Sequence, residues 1–350
     1  MILVPDYYKK FGCIADECTD SCCIGWEIDV DAETIAKYRG MENSGEFLEK
    51  LDLASDPPHI RLCEGERCPF LDEHGLCRII SKYGEEYIPE ICKKHPRYIN
   101  ETSAYTECGL GLACPEAARI VLEIADRPRP EIWDENATYT PILKKSRDKF
   151  PTEDNKNEDL TENTPTNAEN ALFLLREKIF DLIFDKNHTV GEIISGLFIC
   201  DDAVSDYAFD LFAGISTKSP EINTADFGNI SPLISLLPSA IQTLELLSED
   251  YRRGFATPSA ELIAERLMLL GERARAMLYY FVHRYFLAGV MDMDVDARLS
   301  LAVMLLMLYL LHMDDPTVSG ARDAAVAFSK NVEYSTENIE ILLGIIAEKP

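Results

Sequence analysis

Residues 13–26 read CIADECTDSCCIGW and contain four cysteines, at positions 13, 18, 22 and 23. Ten of the eleven cysteines in the chain lie between Cys13 and Cys114, and the other is Cys200. Random placement would spread cysteines along the whole chain, so this concentration predicts a separate cysteine-rich domain. Thiolates bind zinc or iron–sulfur clusters, and loops let distant cysteines meet at one point. We therefore expect the first third of the chain to be a loop-rich, metal-binding domain.

Eight thiols form the predicted ligand set, from which Cys63 and Cys108 are left out. The set is Cys13, Cys18, Cys22, Cys23, Cys68, Cys77, Cys92 and Cys114. Zinc sites often use C-x2-C pairs, and their absence here favours an iron–sulfur cluster of the 4Fe-4S type, with zinc as the alternative. Incidental buried thiols without a metal are a further alternative. The C-x3-C-x2-C motif of radical enzymes is absent, because Gly25 stands where its third cysteine would fall.

The compartment follows from the start of the chain and from its longest apolar run. The opening MILVPD lacks the basic and apolar segments of a secretion signal, so we expect a cytoplasmic protein with reduced thiols. The apolar run 299–313 is shorter than the roughly 20 residues that cross a bilayer and predicts a buried core helix.

The net charge of −27 argues against nucleic acid or an anionic membrane as a partner. An acidic surface favours a cationic substrate such as lysine, although solubility alone also explains it.

The segments with helical spacing are short in the front domain and longer in the rest of the chain. Asp31 is expected to cap the helix DAETIAKYR, and a second helix is expected around EFLEKLDLA. Residues 127–167 are dense in Pro, Asn, Thr and Glu and predict a flexible linker. Residues 168–350 show repeated helical spacing and predict an all-α domain. The expected fold class is mainly α, with the cysteine-rich domain at 1–126.

Two local patterns place cysteines within the front domain. Cys68 and Cys77 flank the turn sequence DEHG, which predicts a short β-hairpin that brings the two thiols together. Pro115 suits the first position of the helix PEAARIVLEIAD, so Cys114 is expected at its N-cap. A helix N-terminus stabilises a thiolate.

Several short segments follow one another between residues 7 and 125. They are Cys13-x4-Cys18-x3-Cys22-Cys23-x2-Trp26, Cys68-Pro-Phe-Leu, Gly75-Leu-Cys77-Arg-Ile, Ile88-Pro-Glu-Ile-Cys92 and Cys114-Pro-Glu-Ala-Ala. Together they resemble the signature of the flagellin lysine N-methylase family. The vicinal cysteines and the CPFL segment are shared with a broader group of zinc- or iron-chelating proteins. His95 stands where the family carries tyrosine, and beside Lys93 and Lys94 we expect it to be an exposed loop residue.

The resemblance implies methyl transfer from S-adenosylmethionine to lysine ε-amines of flagellin. Such a site must desolvate the lysine, accept its proton and align nitrogen, methyl carbon and sulfur. No catalytic or cofactor-binding residue is assigned. Gly109 and Gly111 lack the pattern of a nucleotide-binding turn, so we expect a loop that serves the metal site. Helical spacing favours core packing for the stripe Tyr279, Tyr280, His283, Tyr285 and Phe286.

Two other functions compete with the enzyme. The first is a metal-binding module without methyltransferase activity, acting in metal binding or partner docking. The second is a thiol redox protein, which would need the Cys22–Cys23 pair to form a strained eight-membered ring. Because methyl transfer to an amine needs no electron, we expect a cluster to shape the fold rather than to carry electrons.

Overall fold

The structure is a computed structural model that describes residues 2–102, 105–133, 167–199, 231–288 and 295–348. Helices predominate in this part of the chain, which confirms the mainly α class. The front elements are β1 (Ile2–Pro5), α1 (Ala32–Arg39), α2 (Ser44–Leu48), β2 (Leu51–Asp52), β3 (His59–Ile60), α3 (Arg78–Tyr83), α4 (Glu90–Lys94), β4 (Arg97–Glu101), β5 (Thr106–Leu110), α5 (Pro115–Leu122) and β6 (Pro130–Trp133).

A four-stranded sheet in the order β4–β5–β1–β6 organises the front of the chain. Strand β1 runs parallel to β5 and antiparallel to β6, and β4 is antiparallel to β5. Leu3 on β1 is paired with Glu107 on one side and Ile132 on the other. This sheet could not be predicted from the sequence, because each strand has only four or five residues and β1 pairs with segments distant in the chain.

The first predicted helix is confirmed, together with its cap. The Asp31 carboxylate accepts hydrogen bonds from the N–H and the hydroxyl of Thr34, both at 2.8 Å. It also accepts from the N–H of Glu90 at 2.9 Å, which joins the start of α1 to the start of α4. The second helix ends at Leu48, earlier than predicted, because β2 begins at Leu51 and pairs with β3.

The predicted hairpin between Cys68 and Cys77 is wrong as to its strands and right as to its turn. A single bridge joins Leu71 to Cys77, and α3 begins directly after Cys77. Gly75 has the positive φ of 79° that the turn requires. The Asp72 carboxylate accepts from the N–H groups of residues 74 and 76, so a side chain satisfies donors that a strand ladder would otherwise use.

Helices make up the described remainder of the chain. They are α6 (Asn167–Ile183), α7 (Val190–Ile199), α8 (Ser231–Thr243), α9 (Glu249–Arg253), α10 (Ala260–Leu270), α11 (Glu272–Tyr285), α12 (Val295–His312), α13 (Val318–Phe328) and α14 (Thr336–Ala347). A π-helical turn at Ser329–Glu333 joins the last two. The apolar run 299–313 lies in and just beyond α12 and is almost wholly buried, as predicted for a core helix.

Two apolar clusters support the chain. The larger contains Leu3, Leu110 and Val121 from the front sheet and α5 together with Tyr279 and Leu308 from the helices. The smaller lies beneath the cysteine-bearing loops and is centred on Tyr38, Phe47 and Phe70. The front sheet therefore packs directly on the helices, while the segments that carry Cys23, Cys68, Cys77 and Cys92 pack on a core of their own.

The predicted boundaries at 1–126, 127–167 and 168–350 stay a prediction. Residues 130–133 of the predicted linker form β6 and complete the sheet, and residues 134–166 lie outside the described residues. Among the helices that the structure describes, none combines the length and the apolar character needed to span a membrane.

Candidate functional site

The backbone brings several cysteine-bearing segments together. The N–H of Cys68 donates to the carbonyl of Cys23 at 2.9 Å, which joins the first cysteine loop to the CPFL segment. Cys77 and Cys114 precede the first residues of α3 and α5, and Cys92 lies on α4. Short helices thus hold three of the thiols at defined positions around the first loop.

We call the eight predicted ligands the thiol cluster. Cys22 is its centre: it interacts electrostatically with Cys18, Cys68, Cys92 and Cys114. Cys23 follows it directly in the chain. At the edges, Cys13 interacts with Cys18, and Cys77 interacts with Cys68 and Cys92.

Burial keeps the central thiols protonated. It raises the pKa of Cys68 and of Cys114 to about 11 and that of Cys92 to about 12, because a thiolate loses its hydration there. The N–H groups of Glu116 and Ala117 in α5 do act to lower the pKa of Cys114, as its N-cap position predicts. Loss of hydration outweighs them, so the pKa of this thiol is raised although the helix N-terminus favours its thiolate.

The donor set suits the predicted metal by its chemistry, because soft sulfur ligands in this number bind zinc or an iron–sulfur cluster. Within the described ranges, no three Cys, His, Asp or Glu side chains already stand together as ligands of one ion. The ligand set therefore stays a prediction.

The remaining cysteines differ in position. Cys63 is exposed and interacts with Cys68 at the margin of the thiol cluster. Cys108 is buried on β5, where it interacts with Arg97 and Glu107. Cys200 lies outside the described residues.

His95, at the end of α4, is not the exposed loop residue that its neighbours suggested. Burial lowers its pKa to about 4, helped by the positive charges of Lys330 and Arg97. Its Nε2 atom is buried and has no hydrogen-bond partner among the described residues. The two lysines before it mark the exposed face of a short helix, while the histidine turns inward.

The two glycines that suggested a loop at the metal site are needed for close packing. Gly109 lies on β5 opposite Tyr98, and a Cβ there would stand 2.3 Å from the Tyr98 hydroxyl oxygen. A Cβ on Gly111 would stand 2.9 Å from both the Pro96 carbonyl oxygen and the Tyr334 hydroxyl oxygen. The glycines let two tyrosine rings lie directly on the backbone.

A buried polar cluster lies where the sheet meets the helices. Arg176 on α6 donates to both carboxylate oxygens of Glu107 on β5, at 2.6 and 2.7 Å. The Nε2 atom of His283 on α11 lies 3.7 Å from the same carboxylate, and its Nδ1 shares a hydrogen bond of 2.6 Å with the Tyr98 hydroxyl. Burial lowers the pKa of His283 to about 4, so its imidazole is neutral at physiological pH.

The predicted tyrosine stripe on α11 is core, as expected, and it is also hydrogen-bonded. Tyr280 and Tyr285 donate to one oxygen of the Glu333 carboxylate, at 3.0 and 3.2 Å. Arg284 lies 3.3 Å from that oxygen and donates to the Tyr280 hydroxyl at 2.6 Å. The guanidinium also lies over the Tyr334 ring, which interacts with Cys22 and Cys114 of the thiol cluster. Arg284 and Glu333 could not be found from the sequence, because only their packing joins them.

An open groove between α5, α11 and α13 offers space for a small molecule, about 1100 Å³ including the part open to solvent. Arg119 is one of the charged residues that line the groove. It is already paired with Glu116 and Glu123 at 2.6 Å each. These pairs satisfy the Arg119 guanidinium without a ligand, and no cofactor is assigned to the groove.

The fold and the site define a mainly helical protein with a cluster of thiols beside a buried polar core. The chain is 30% identical to the protein named Lysine-N-methylase of Salmonella typhimurium over 136 residues, 35% of this chain and 32% of that relative. The Lysine-N-methylase of Salmonella choleraesuis matches to the same extent. The Flagellar biosynthetic protein FliU of Salmonella muenchen is 30% identical over 130 residues, 35% of this chain and 77% of that relative.

The chain belongs to this family of Lysine-N-methylase and FliU proteins. Its matched part spans about a third of the length of the Lysine-N-methylase relatives. No family model matches the chain. No solved structure matches it either.

Proposed function

We propose that this chain is an S-adenosylmethionine-dependent methyltransferase that acts in the cytoplasm on lysine ε-amines of flagellin. The observation that carries the proposal is the 30% identity to proteins named Lysine-N-methylase and FliU. The names of these relatives give the reaction and the link to the flagellum. We propose that the cysteine-bearing segments, two of which are joined by the hydrogen bond from the Cys68 N–H to the Cys23 carbonyl, form the scaffold for that reaction.

The thiol cluster is proposed to hold an iron–sulfur cluster of the 4Fe-4S type, with zinc as the alternative. Its eight cysteines come from loops and short helices spread between residues 13 and 114, and the Cys68 N–H donates to the Cys23 carbonyl across two of these segments. Ligation requires deprotonation of thiols whose pKa burial has raised, so metal binding would release protons. A bound metal would tie these segments together.

S-adenosylmethionine, when bound, supplies an electrophilic sulfonium methyl group. The protein must hold a neutral lysine amine in line with that methyl group and exclude water from both. Aromatic side chains beside the thiol cluster, Trp26 and Tyr334, offer an apolar wall for such a site and pack edge to face at 5.1 Å. The buried Arg284–Glu333 pair behind Tyr334 holds this wall in place.

The test is methyl transfer by the full chain purified without oxygen. Flagellin and S-adenosylmethionine with a deuterated methyl group are added, and lysine peptides are analysed by mass spectrometry. The proposal expects label on flagellin lysines with the wild-type protein and with C108A, whose thiol lies on β5. The variant C22S/C23S should lose both bound metal and methyl transfer.

The same assay tests a second candidate, a metal-binding module that does not methylate. The match covers only 32% of the Lysine-N-methylase relative, so the chain shares only part of that protein, and this favours testing the module as well. Protein that binds metal stoichiometrically and transfers no label to any lysine would establish the module and reject the enzyme.

A further inference from the structure

Lys330 has an unusual setting in the π-helical turn after α13. Its ammonium nitrogen lies 2.6 Å from a carboxylate oxygen of Asp20 and 5.7 Å from the centre of the Trp26 ring. The side chain is only 14% exposed, although lysine is normally a solvent-exposed residue. A turn of the helical half thus places a lysine amine against the first cysteine loop.

The amine lies beside the thiol cluster. The charge of Lys330 interacts with Cys22, and the carbonyl of Asp20 accepts a hydrogen bond from the Cys18 thiol at 3.3 Å. The ring of Trp26 meets Tyr334, which interacts with Cys22 and Cys114. The surroundings of the amine and the thiol cluster therefore share the same side chains.

These surroundings have the chemistry of a lysine-binding site. A carboxylate neutralises the ammonium, and aromatic faces attract it through their quadrupoles. The indole N–H of Trp26 is buried and lacks a hydrogen-bond partner among the described residues. Trp26 can therefore donate a hydrogen bond to a bound molecule. An ordinary surface ion pair would leave the lysine mostly in water.

Lys82 on α3 provides the comparison within the same chain. It also lies over a ring, 4.9 Å from the centre of Tyr83, and has a carboxylate of Glu46 at 4.0 Å. Its side chain is 57% exposed. Lys82 thus has a similar pair of partners on the surface, without the enclosure that surrounds Lys330.

The geometry points to Asp20, Trp26 and Tyr334 as the subsite that receives the ε-amine of a substrate lysine, with the chain's own Lys330 occupying it. This inference rests on the proposed methyltransferase function. Lys330 is then both an internal competitor of the protein substrate and a site of self-methylation. In the step, the Lys330 ammonium gives a proton to water, the nitrogen lone pair forms a bond to the methyl carbon, and the methyl–sulfur bond breaks. S-adenosylmethionine leaves as S-adenosylhomocysteine.

The experiment uses the metal-loaded full chain with deuterium-labelled S-adenosylmethionine, with and without flagellin. Peptide mapping by mass spectrometry quantifies label on Lys330 and on Lys82 in the same sample. Because enclosure positions the amine, we expect at least about tenfold more label on Lys330 than on Lys82. We also expect K330A to lower the KM for flagellin by about tenfold, since an internal competitor acts at a high effective concentration.

The control variant K82A should leave the KM unchanged, and thermal melting verifies that both variants are folded. Labelled flagellin with equal, low label on Lys330 and Lys82 would overturn the inference and leave the proposed function intact. An unchanged KM in folded K330A would also overturn it. Absence of label on every lysine of both proteins would reject the proposed function, and the inference with it.

Discussion

Replacement of Glu107 by glutamine should destabilise the protein severely. The change removes the charge that faces Arg176, whose guanidinium forms two hydrogen bonds with the carboxylate and lies over the rings of Phe173 and Phe180. The Arg176 side chain is 1% exposed, so water cannot replace the lost partner. Breaking one side of a buried pair costs about 3–5 kcal/mol.

Urea unfolding followed by circular dichroism measures this loss as a change in the free energy of unfolding. The matched control is E123Q, because Glu123 pairs with Arg119 at the same 2.6 Å but is 54% exposed. A surface pair contributes at most about 1 kcal/mol, so the control should change little. The apolar double variant E107L/R176M should recover most of the stability lost in E107Q. Equal effects of E107Q and E123Q would refute this account of the interface between sheet and helices.

Three other perturbations test separate parts of the fold. Burial lowers the pKa of His283 from 6.5 to about 4. Between these pH values His283 is protonated in the unfolded chain and neutral in the folded chain. The free energy of unfolding should therefore fall by about 3 kcal/mol as the pH drops from 6.5 to 4. Urea titrations across pH measure this fall. H283Q should remove the part due to His283 and leave the part due to His95, whose pKa burial also lowers to about 4, and an unchanged slope in H283Q would contradict this reasoning. G109A places a Cβ against Tyr98 and should cost about 1–3 kcal/mol in thermal melting, whereas G12A meets nothing within 4 Å and should not. D31A removes the cap of α1 and its link to α4 and should cost about 1–2 kcal/mol by urea unfolding; no loss would contradict that role.

Local signals in the sequence predicted local structure well. Asp31 caps α1, and Pro115 opens α5 directly after Cys114. The positive φ of Gly75 also follows from its turn sequence. Each of these features depends on residues within a few positions of one another, where side-chain hydrogen bonding and backbone sterics decide the conformation.

The sheet and the buried polar cluster could not be found in this way. Strand β1 pairs with residues more than a hundred positions away, and no alternation of apolar and polar residues marks so short a strand. Glu107, Arg176 and His283 meet only because the sheet packs on α6 and α11. In the sequence, each is an unremarkable polar residue in a different segment.

The candidate site was likewise predictable only where residues close in the chain carry the information. Cysteine number and clustering predicted which thiols to consider, and their role as ligands of one metal stays a prediction, because no three of them stand together among the described residues. The surroundings of Lys330 could not be predicted from the sequence, because Asp20 and Trp26 lie more than three hundred positions before it. Spacing alone also could not give the effect of burial on the pKa of Cys114.

The most direct measurement is the metal and sulfide content of the full chain purified without oxygen, together with its absorption spectrum. Iron and sulfide in stoichiometric amounts, lost in a variant that lacks Cys22 and Cys68 but retained in C108A, is the predicted result. Stoichiometric zinc without sulfide would select the alternative metal. A folded protein that methylates lysine and contains neither metal would contradict the central role assigned to the thiol cluster.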